Sequence, residues 1–422
     1  MENLAAIVLA VAATALFIAI AFVLSRGRGT PFLKLQLEEF PPIHDALPML
    51  AGLTESAVYG GNKARVHQNG AALAAMLEDI SAATGSIHLE TFVWCEGEVE
   101  TRFVRALAER ARASVHVRVL KDAVGGSRGS ERAARTLCES GVQMAEYCAP
   151  RWWNVGRLNS RTHRKLLIID GRIAYTFGHG ISDQWLGDGE DPEHWRDTAL
   201  RLEGPVVHGL QTVFAQNWVE ETHSLPISGN CFPRLGTVGE TPAHVVSSAS
   251  GDAVSSVAML YTVAMACARE EVLIQNPYFA PNPGVVELFA MLVRRGVRVH
   301  LMVPGKHTDS PFVRRAGCHL YSRLLAAGVR VYEYDRTLIH QKIVVIDGAW
   351  AHVGSTNFDS RSLALNEEIG VGLLDRAIAL DLKQAFDRDL RFCREWKLEE
   401  WRRRPPRDRL FDGFAYLLHD QL

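Results

Sequence analysis

Hydrophobic and polar positions along this chain switch between a period of two and a period near 3.6, and the order of the switches repeats. Ser86-Ile-His-Leu-Glu-Thr-Phe-Val93 reads as a strand, the stretch near Glu100 to Ala113 as a helix, and Val115 to Leu120 as a second strand. The same succession returns as Glu271-Val-Leu-Ile-Gln-Asn-Pro-Tyr-Phe279, a helix near Gly284 to Arg295 and a strand from Val297 to Val303. Ser140-Gly-Val-Gln-Met-Ala-Glu-Tyr147 then answers Ala327-Gly-Val-Arg-Val-Tyr-Glu-Tyr334, each followed by an apolar strand that carries a polar motif. Strands alternating with helices of this length predict an α/β fold of two similar lobes, each a mixed sheet covered by helices. The pattern places the first lobe at 60–225 and the second at 243–400, joined by the Pro- and Gly-rich stretch from Leu225 to Pro242, with a tail over 401–422.

One segment follows neither period. Leu4 to Leu24 is apolar or small throughout apart from one Thr, long enough to cross a hydrocarbon core of roughly 30 Å, and predicts a transmembrane anchor at 4–24. It is longer than a signal-peptide core and lacks a basic leader and a small-x-small end. Arg26, Arg28 and Lys34 follow it and only Glu2 precedes it, which puts the body of the protein on the cytoplasmic side. Seven scattered cysteines without a C-x-x-C pair signal neither a disulfide framework nor a zinc site. The 46 basic residues against 48 acidic ones speak against a nucleic-acid-coating protein.

The chemistry lies in the repeated motif. His163 and Lys165 recur as His340 and Lys342, and Asp170 as Asp347, each pair separated by 177 positions (340 − 163, 342 − 165, 347 − 170). On extended backbone His and Lys share a face. The strands after them, Leu166-Leu-Ile-Ile169 and Ile343-Val-Val-Ile346, end in Asp-Gly, a hairpin signal that gives Asp170 and Asp347 a turn-forming role. A lone histidine on an apolar strand is usually a packing residue; two with identical companions reverse that expectation. A lysine beside each histidine would repel a metal ion, so no metal and no cofactor is expected. Two lysines on one phosphate can offset its charge, one imidazole can attack phosphorus and the other can protonate the departing alcohol. Gly354-Ser355-Thr356-Asn357 reads as a phosphate cradle, with Ser355 and Asn357 as donors and Gly178 as its counterpart in the first lobe.

H-x-K-x4-D twice, the second followed by G-S-x-N, resembles the phospholipase D superfamily. Asn159-Ser-Arg-Thr-His-Arg-Lys165, His194-Trp-Arg-Asp-Thr198, Leu202-Glu-Gly-Pro205, Asn276-Pro-Tyr-Phe279 and Phe358-Asp-Ser-Arg-Ser362 are similar to bacterial cardiolipin synthases. The resemblance covers roughly 60–400 and implies two lobes meeting across a pseudo-twofold axis around one phosphate. It implies His163 as nucleophile and His340 as general acid and then base, with Asp170 and Asp347 counted in the catalytic motifs. Glu368 matches the family position of the carboxylate for His340, and Asp197 is assigned to His163. Glu90 and Asn276 stand at equivalent strand ends, while His88, His179 and His194 have no repeated partner and are read as structural.

The chain departs from the family at Phe177-Gly178-His179-Gly180, where a Gly-Ser-x-Asn or Gly-Gly-x-Asn motif is usual. The implied function is cardiolipin synthesis from two phosphatidylglycerol molecules at a bacterial inner membrane, with a hydrolytic phospholipase D, a nuclease and a silent phosphate-binding scaffold as alternatives. No nucleic-acid partner is expected. The aromatic and basic tail, from Trp396 and Trp401 through Arg402-Arg-Arg404 to Leu418, suits an anionic membrane surface or a locally packed end equally well.

Overall fold

The computed structural model describes residues 40–149, 159–227, 230–249 and 254–419, with isolated positions before them. The apolar run from Leu4 to Leu24 lies outside this set apart from Val11, Ala13, Thr14 and Phe17. Among the described residues no helix is long and apolar enough to cross a membrane.

The first lobe supplies β1 (Val58–Gln68), β2 (Ser86–Thr91), β3 (His116–Asp122), β4 (Gln143–Tyr147), β5 (Arg161–Thr162), β6 (Leu166–Ile169), β7 (Ile173–Phe177) and β8 (Thr198–Glu203). The second supplies β9 (Thr241–Ser248), β10 (Glu271–Gln275), β11 (Phe279–Ala280), β12 (Arg298–Pro304), β13 (Arg330–Tyr334), β14 (Ile343–Ile346), β15 (Trp350–Gly354), β16 (Phe358–Asp359), β17 (Asn366–Leu374) and β18 (Cys393–Trp396). One continuous sheet runs β4-β3-β2-β6-β7-β8-β1 and then β9-β17-β15-β14-β10-β12-β13-β18. Apart from the added β18, the second half is the mirror order of the first. In each lobe two parallel pairings (β2–β3 and β3–β4; β10–β12 and β12–β13) give way to antiparallel ones toward the centre. The lobes join where β1 and β9 pair antiparallel, so the seam is itself a strand ladder.

Alternation along the motif strands sorts their side chains into layers. Leu166 and Ile168, with Ile343 and Val345, enter an apolar core that runs through both lobes under the helices Val206–Thr222 and Arg376–Asp389. Leu167 and Ile169 face a core private to the first lobe, and Val344 and Ile346 one private to the second. The predicted strand ending at Phe279 stops at Gln275, because Pro277 has no N–H to continue a ladder. The chain resumes at Phe279–Ala280, which pairs with β16 in a separate two-stranded sheet.

Two segments beyond the predicted lobes join the second one. Phe40, Ile43, Ala46 and Leu50 enter its core, and Trp401, placed by the sequence in the tail, is buried there as well.

Candidate active site

The two His-x-Lys tripeptides lie on extended backbone just ahead of β6 and β14, outside the ladder that the sequence pattern predicts for them. Each reaches across the seam instead. The His163 N–H donates to the Glu367 carbonyl (2.9 Å), while β5 pairs parallel with Asn366 and Glu367. The His340 N–H donates to the Arg196 carbonyl (2.7 Å), and Arg196 forms an isolated bridge with Ile339. In both cases the acceptor is the residue just before a buried carboxylate.

That crossing decides the side-chain pairs. His163 Nδ1 lies 2.9 and 3.1 Å from the two carboxylate oxygens of Glu368, and His340 Nδ1 lies 2.8 Å from Asp197 Oδ2. The assignment made from sequence is therefore reversed: Glu368 serves His163 and Asp197 serves His340. The cause is topological, since β8 and β17 flank the central pair and their ends project over the opposite lobe. Further polar bridges brace the same seam, with Arg164 on Glu367 at 2.6 Å and Arg196 on Asp389 at 3.2 Å.

Burial sets the protonation of this cluster. It pushes both imidazoles down to about 4, against the opposing pull of the Glu368 carboxylate on His163 and of Asp197 on His340. Burial works the other way on the two carboxyls, but pairing with the neighbouring rings and lysines outweighs it: His163 and Lys165 hold Glu368 below the usual carboxylate range, and His179, His340 and Lys342 do so for Asp197. Near neutral pH each histidine is an uncharged ring. Its Nδ1–H points at a carboxylate, which leaves the lone pair on Nε2. Burial also lowers Lys165 to about 7 and Lys342 to about 8. Lys165 Nζ donates to the His163 carbonyl at 2.7 Å, while Lys342 Nζ sits 3.1 Å from His340 Nε2. Both ammonium groups are thus ready to gain from an incoming anion.

Aromatic rings wall the site. Phe92 meets His163 edge-on at 5.2 Å, and Trp185, Trp195 and Tyr278 surround His340 at 5.5, 5.4 and 6.3 Å. These four were missed from sequence, because nothing in hydrophobic spacing separates a site wall from a core.

The departure from the family motif lies at Phe177 and Gly180; at Gly180, where the second lobe carries Asn357, a Cβ would stand 2.6 Å from Val93 Cβ and 2.8 Å from the Trp185 ring, so a side chain has no room there. A Cβ at Gly178 would stand 2.2 Å from Asp197 Oδ1, so the position is open because the carboxylate fills it. Gly178 is a packing position for Asp197, and its N–H is spent on the Thr198 carbonyl at 3.3 Å. At the equivalent point of the second lobe Ser355 carries a hydroxyl that donates to Glu368. In the first lobe that service comes from the Trp185 indole, 2.9 Å from Asp197 Oδ2. Phe177 points into the first-lobe core and leaves the site clear. Asn357 is buried, and its Oδ1 finds no hydrogen-bond partner among the described residues.

A family profile described as "Cardiolipin synthase, PLD-like domain" matches residues 76–218 and 261–390, more than half of the chain. The major cardiolipin synthase ClsA of Bacillus subtilis (strain 168) is 34% identical over 81% of this chain and 72% of its own length. This chain belongs to the cardiolipin synthase, phospholipase D-like family. A cardiolipin synthase of Listeria monocytogenes serotype 4b is 32% identical over 75% of the chain and 66% of that protein. Among solved structures, the fold is similar to phosphatidylserine synthase of Haemophilus influenzae Rd KW20, with a TM-score of 0.66, 13% identity and coverage of 90% of this chain and 98% of that one.

The remaining motif residues of this phospholipase D-like chain fall away from the histidines. Asp170 and Asp347 stand at the far ends of β6 and β14, so listing them with the catalytic groups is corrected. Each carboxylate accepts backbone N–H groups from the start of a neighbouring strand, Thr84, Gly85 and Ser86 for Asp170 and Arg269, Glu270 and Glu271 for Asp347. Both adopt the left-handed conformation, with φ of 53° and 52°. Strand register makes Glu90 equivalent to Gln275, one residue before the Asn276 chosen from sequence, since they pair with Leu166 and Ile343. Glu90 is buried and accepts from Thr162 and Asn217, a support beneath His163. His88 stacks on Phe214 and bonds Gln211, and His179 bonds the Asn69 carbonyl.

Proposed function

We propose that this chain is a phosphatidyltransferase that joins two phosphatidylglycerol molecules into cardiolipin with release of glycerol. The observation that carries the reading is the crossed pair: two buried imidazoles, each with Nδ1 held by the other lobe's carboxylate and a lysine beside it.

His163 Nε2 attacks the phosphorus of the first lipid, and the P–O bond to its terminal glycerol breaks. The negative phosphate between Lys165 and Lys342 favours an imidazolium at His340, which gives its Nε2 proton to the departing glycerol oxygen. His340, now neutral, takes the proton of a hydroxyl on the second phosphatidylglycerol. That oxygen attacks the phosphohistidine, the P–N bond breaks and His163 regains its lone pair. Glu368 and Asp197 fix the tautomers and stabilise the imidazolium form of each ring. Asn357 and the two lysines hold the non-bridging oxygens, where charge gathers in each transition state. The names borne by the relatives support the substrate class, and the apolar run from Leu4 to Leu24 supports a single-pass anchor in a bacterial inner membrane with the body on the cytoplasmic side.

The test is product analysis by mass spectrometry after detergent-solubilised protein, without added metal, meets pure phosphatidylglycerol. Cardiolipin with equimolar glycerol is the expected outcome. Phosphatidic acid alone would make water the acceptor, and no turnover would overturn the reading.

A further inference from the structure

The helix Pro406–Tyr416 and the turn after it expose apolar surface that the two lobes leave uncovered. Leu410, Phe411, Phe414, Leu417 and Leu418 are 78, 48, 57, 78 and 45% exposed. At the α-helical step they fall within an arc of about 120°, a single stripe. The opposite face is fixed to the body. Ala415 packs with Ala280 and Ala316, and buried Asp412 is paired with Arg315 at 3.2 Å and Arg404 at 2.9 Å. Asp408, the helix's other carboxylate, faces Arg315 at 3.7 Å, whereas Arg407 is exposed within the arc of the stripe, Arg409 is exposed to one side of it, and Arg402 and Arg403 are exposed just before the helix. On the helix itself, where both carboxylates are paired, the outward charge is therefore positive beside an apolar band.

The helix lies beyond residues 76–218 and 261–390, which the family profile matches. It is also attached to the wall of the site. The Tyr416 hydroxyl donates to the Pro281 carbonyl at 3.4 Å, and that segment follows directly from β11 and from Tyr278, whose ring stands 6.3 Å from His340.

We propose that this helix is an interfacial anchor that seats the mouth of the active site on an anionic lipid bilayer, an inference that rests on the lipid-substrate reading above. Leucine and phenylalanine enter the boundary between headgroups and acyl chains, the arginines meet anionic headgroups, and the buttressed wall holds His340 at a constant height above the surface.

The test uses the full chain in nanodiscs of mixed phosphatidylglycerol and phosphatidylcholine and in nanodiscs of phosphatidylcholine alone. Hydrogen exchange over 410–418 should be slower in the anionic discs. The triple variant Leu410→Asp, Phe414→Asp, Leu417→Asp should lose that protection and turn over bilayer phosphatidylglycerol about tenfold more slowly or worse. Its turnover of a monomeric short-chain phosphatidylglycerol should stay unchanged, which also shows that it folds. Exchange that is the same in both discs, or a variant slowed equally on both substrates, would overturn the proposal. Protection and the bilayer-to-monomer ratio do not depend on whether lipid or water accepts the phosphatidyl group, so the two readings fail separately.

Discussion

The two lobes solve one problem with different residues. Each must place a carboxylate behind the other lobe's histidine and keep it ionised although buried. The second lobe uses Glu368, inside β17, and supports it with the Ser355 hydroxyl. The first uses the shorter Asp197, just ahead of β8, supported by the Trp185 indole at 2.9 Å and the Thr198 N–H at 2.8 Å. Because Asp197 is shorter its carboxylate sits over Gly178, where no side chain fits. Gly178 is thus the complement of the shorter carboxylate, and the donor that Ser355 gives to Glu368 is supplied to Asp197 by Trp185. What the repeat preserves is a donor on each carboxylate, and the residue that provides it is free to differ.

The largest effect should come from the histidines. His163→Ala and His340→Ala should each lower turnover by about 10³-fold or more, because nucleophile and proton donor sit in different lobes of one site. Unaltered turnover in either variant would mean that the lobes act independently. Next comes an exchange of the two braces. Gly178→Ser, which imports the second lobe's hydroxyl, should cost roughly 10²-fold in turnover by pushing Asp197 off His340. Ser355→Gly should cost only about tenfold, the loss of one hydrogen bond to a charged group. Equal costs would show that the lobes are interchangeable at this point.

A smaller effect should follow from pH. Lys165 at about 7 and Lys342 at about 8 lose their charge as pH rises. Tungstate, whose own charge is constant in this range, should therefore bind less tightly as pH rises through these values. Binding an anion raises both lysine pKa values, so protons are taken up; calorimetry in buffers of different ionisation enthalpy should read that uptake, and proton release would contradict it. The smallest effect on turnover belongs to the turn residues. Asp170→Ala and Asp347→Ala each leave several backbone N–H groups without a partner and should cost about 1–3 kcal/mol of stability in thermal melts. Turnover per folded molecule should be unchanged in both, since neither carboxylate is at the site.

The internal repeat and the His-x-Lys motifs were legible in the sequence because an equal spacing of three residue types is written directly in the chain. The lobes, their α/β character and the turn role of Asp170 and Asp347 followed from local periods and from Asp-Gly pairs, both short-range signals. The carboxylate partners were not legible. Glu368 lies 205 positions from His163 and Asp197 lies 143 from His340, and each is nearer in sequence to the wrong histidine. Only the order of the sheet, with β1 and β9 as its seam, carries each strand end across to the other lobe. The aromatic wall of Phe92, Trp185, Trp195 and Tyr278 was hidden for a related reason: these rings come from three separate connections and share no period.

The crossed pairing is tested most directly by trapping the covalent intermediate. Glu368→Gln and Asp197→Asn would each be mixed with phosphatidyl-p-nitrophenol, whose leaving group departs without a general acid, then quenched and digested, and the peptide bearing His163 weighed for a phosphatidyl adduct. The expected result is no adduct in Glu368→Gln, whose nucleophile has lost its tautomer, and formation of the adduct with impaired turnover in Asp197→Asn, whose acid and base is the one disabled. An adduct that forms in Glu368→Gln and is absent in Asp197→Asn would contradict the crossed pairing and restore each carboxylate to the histidine of its own lobe.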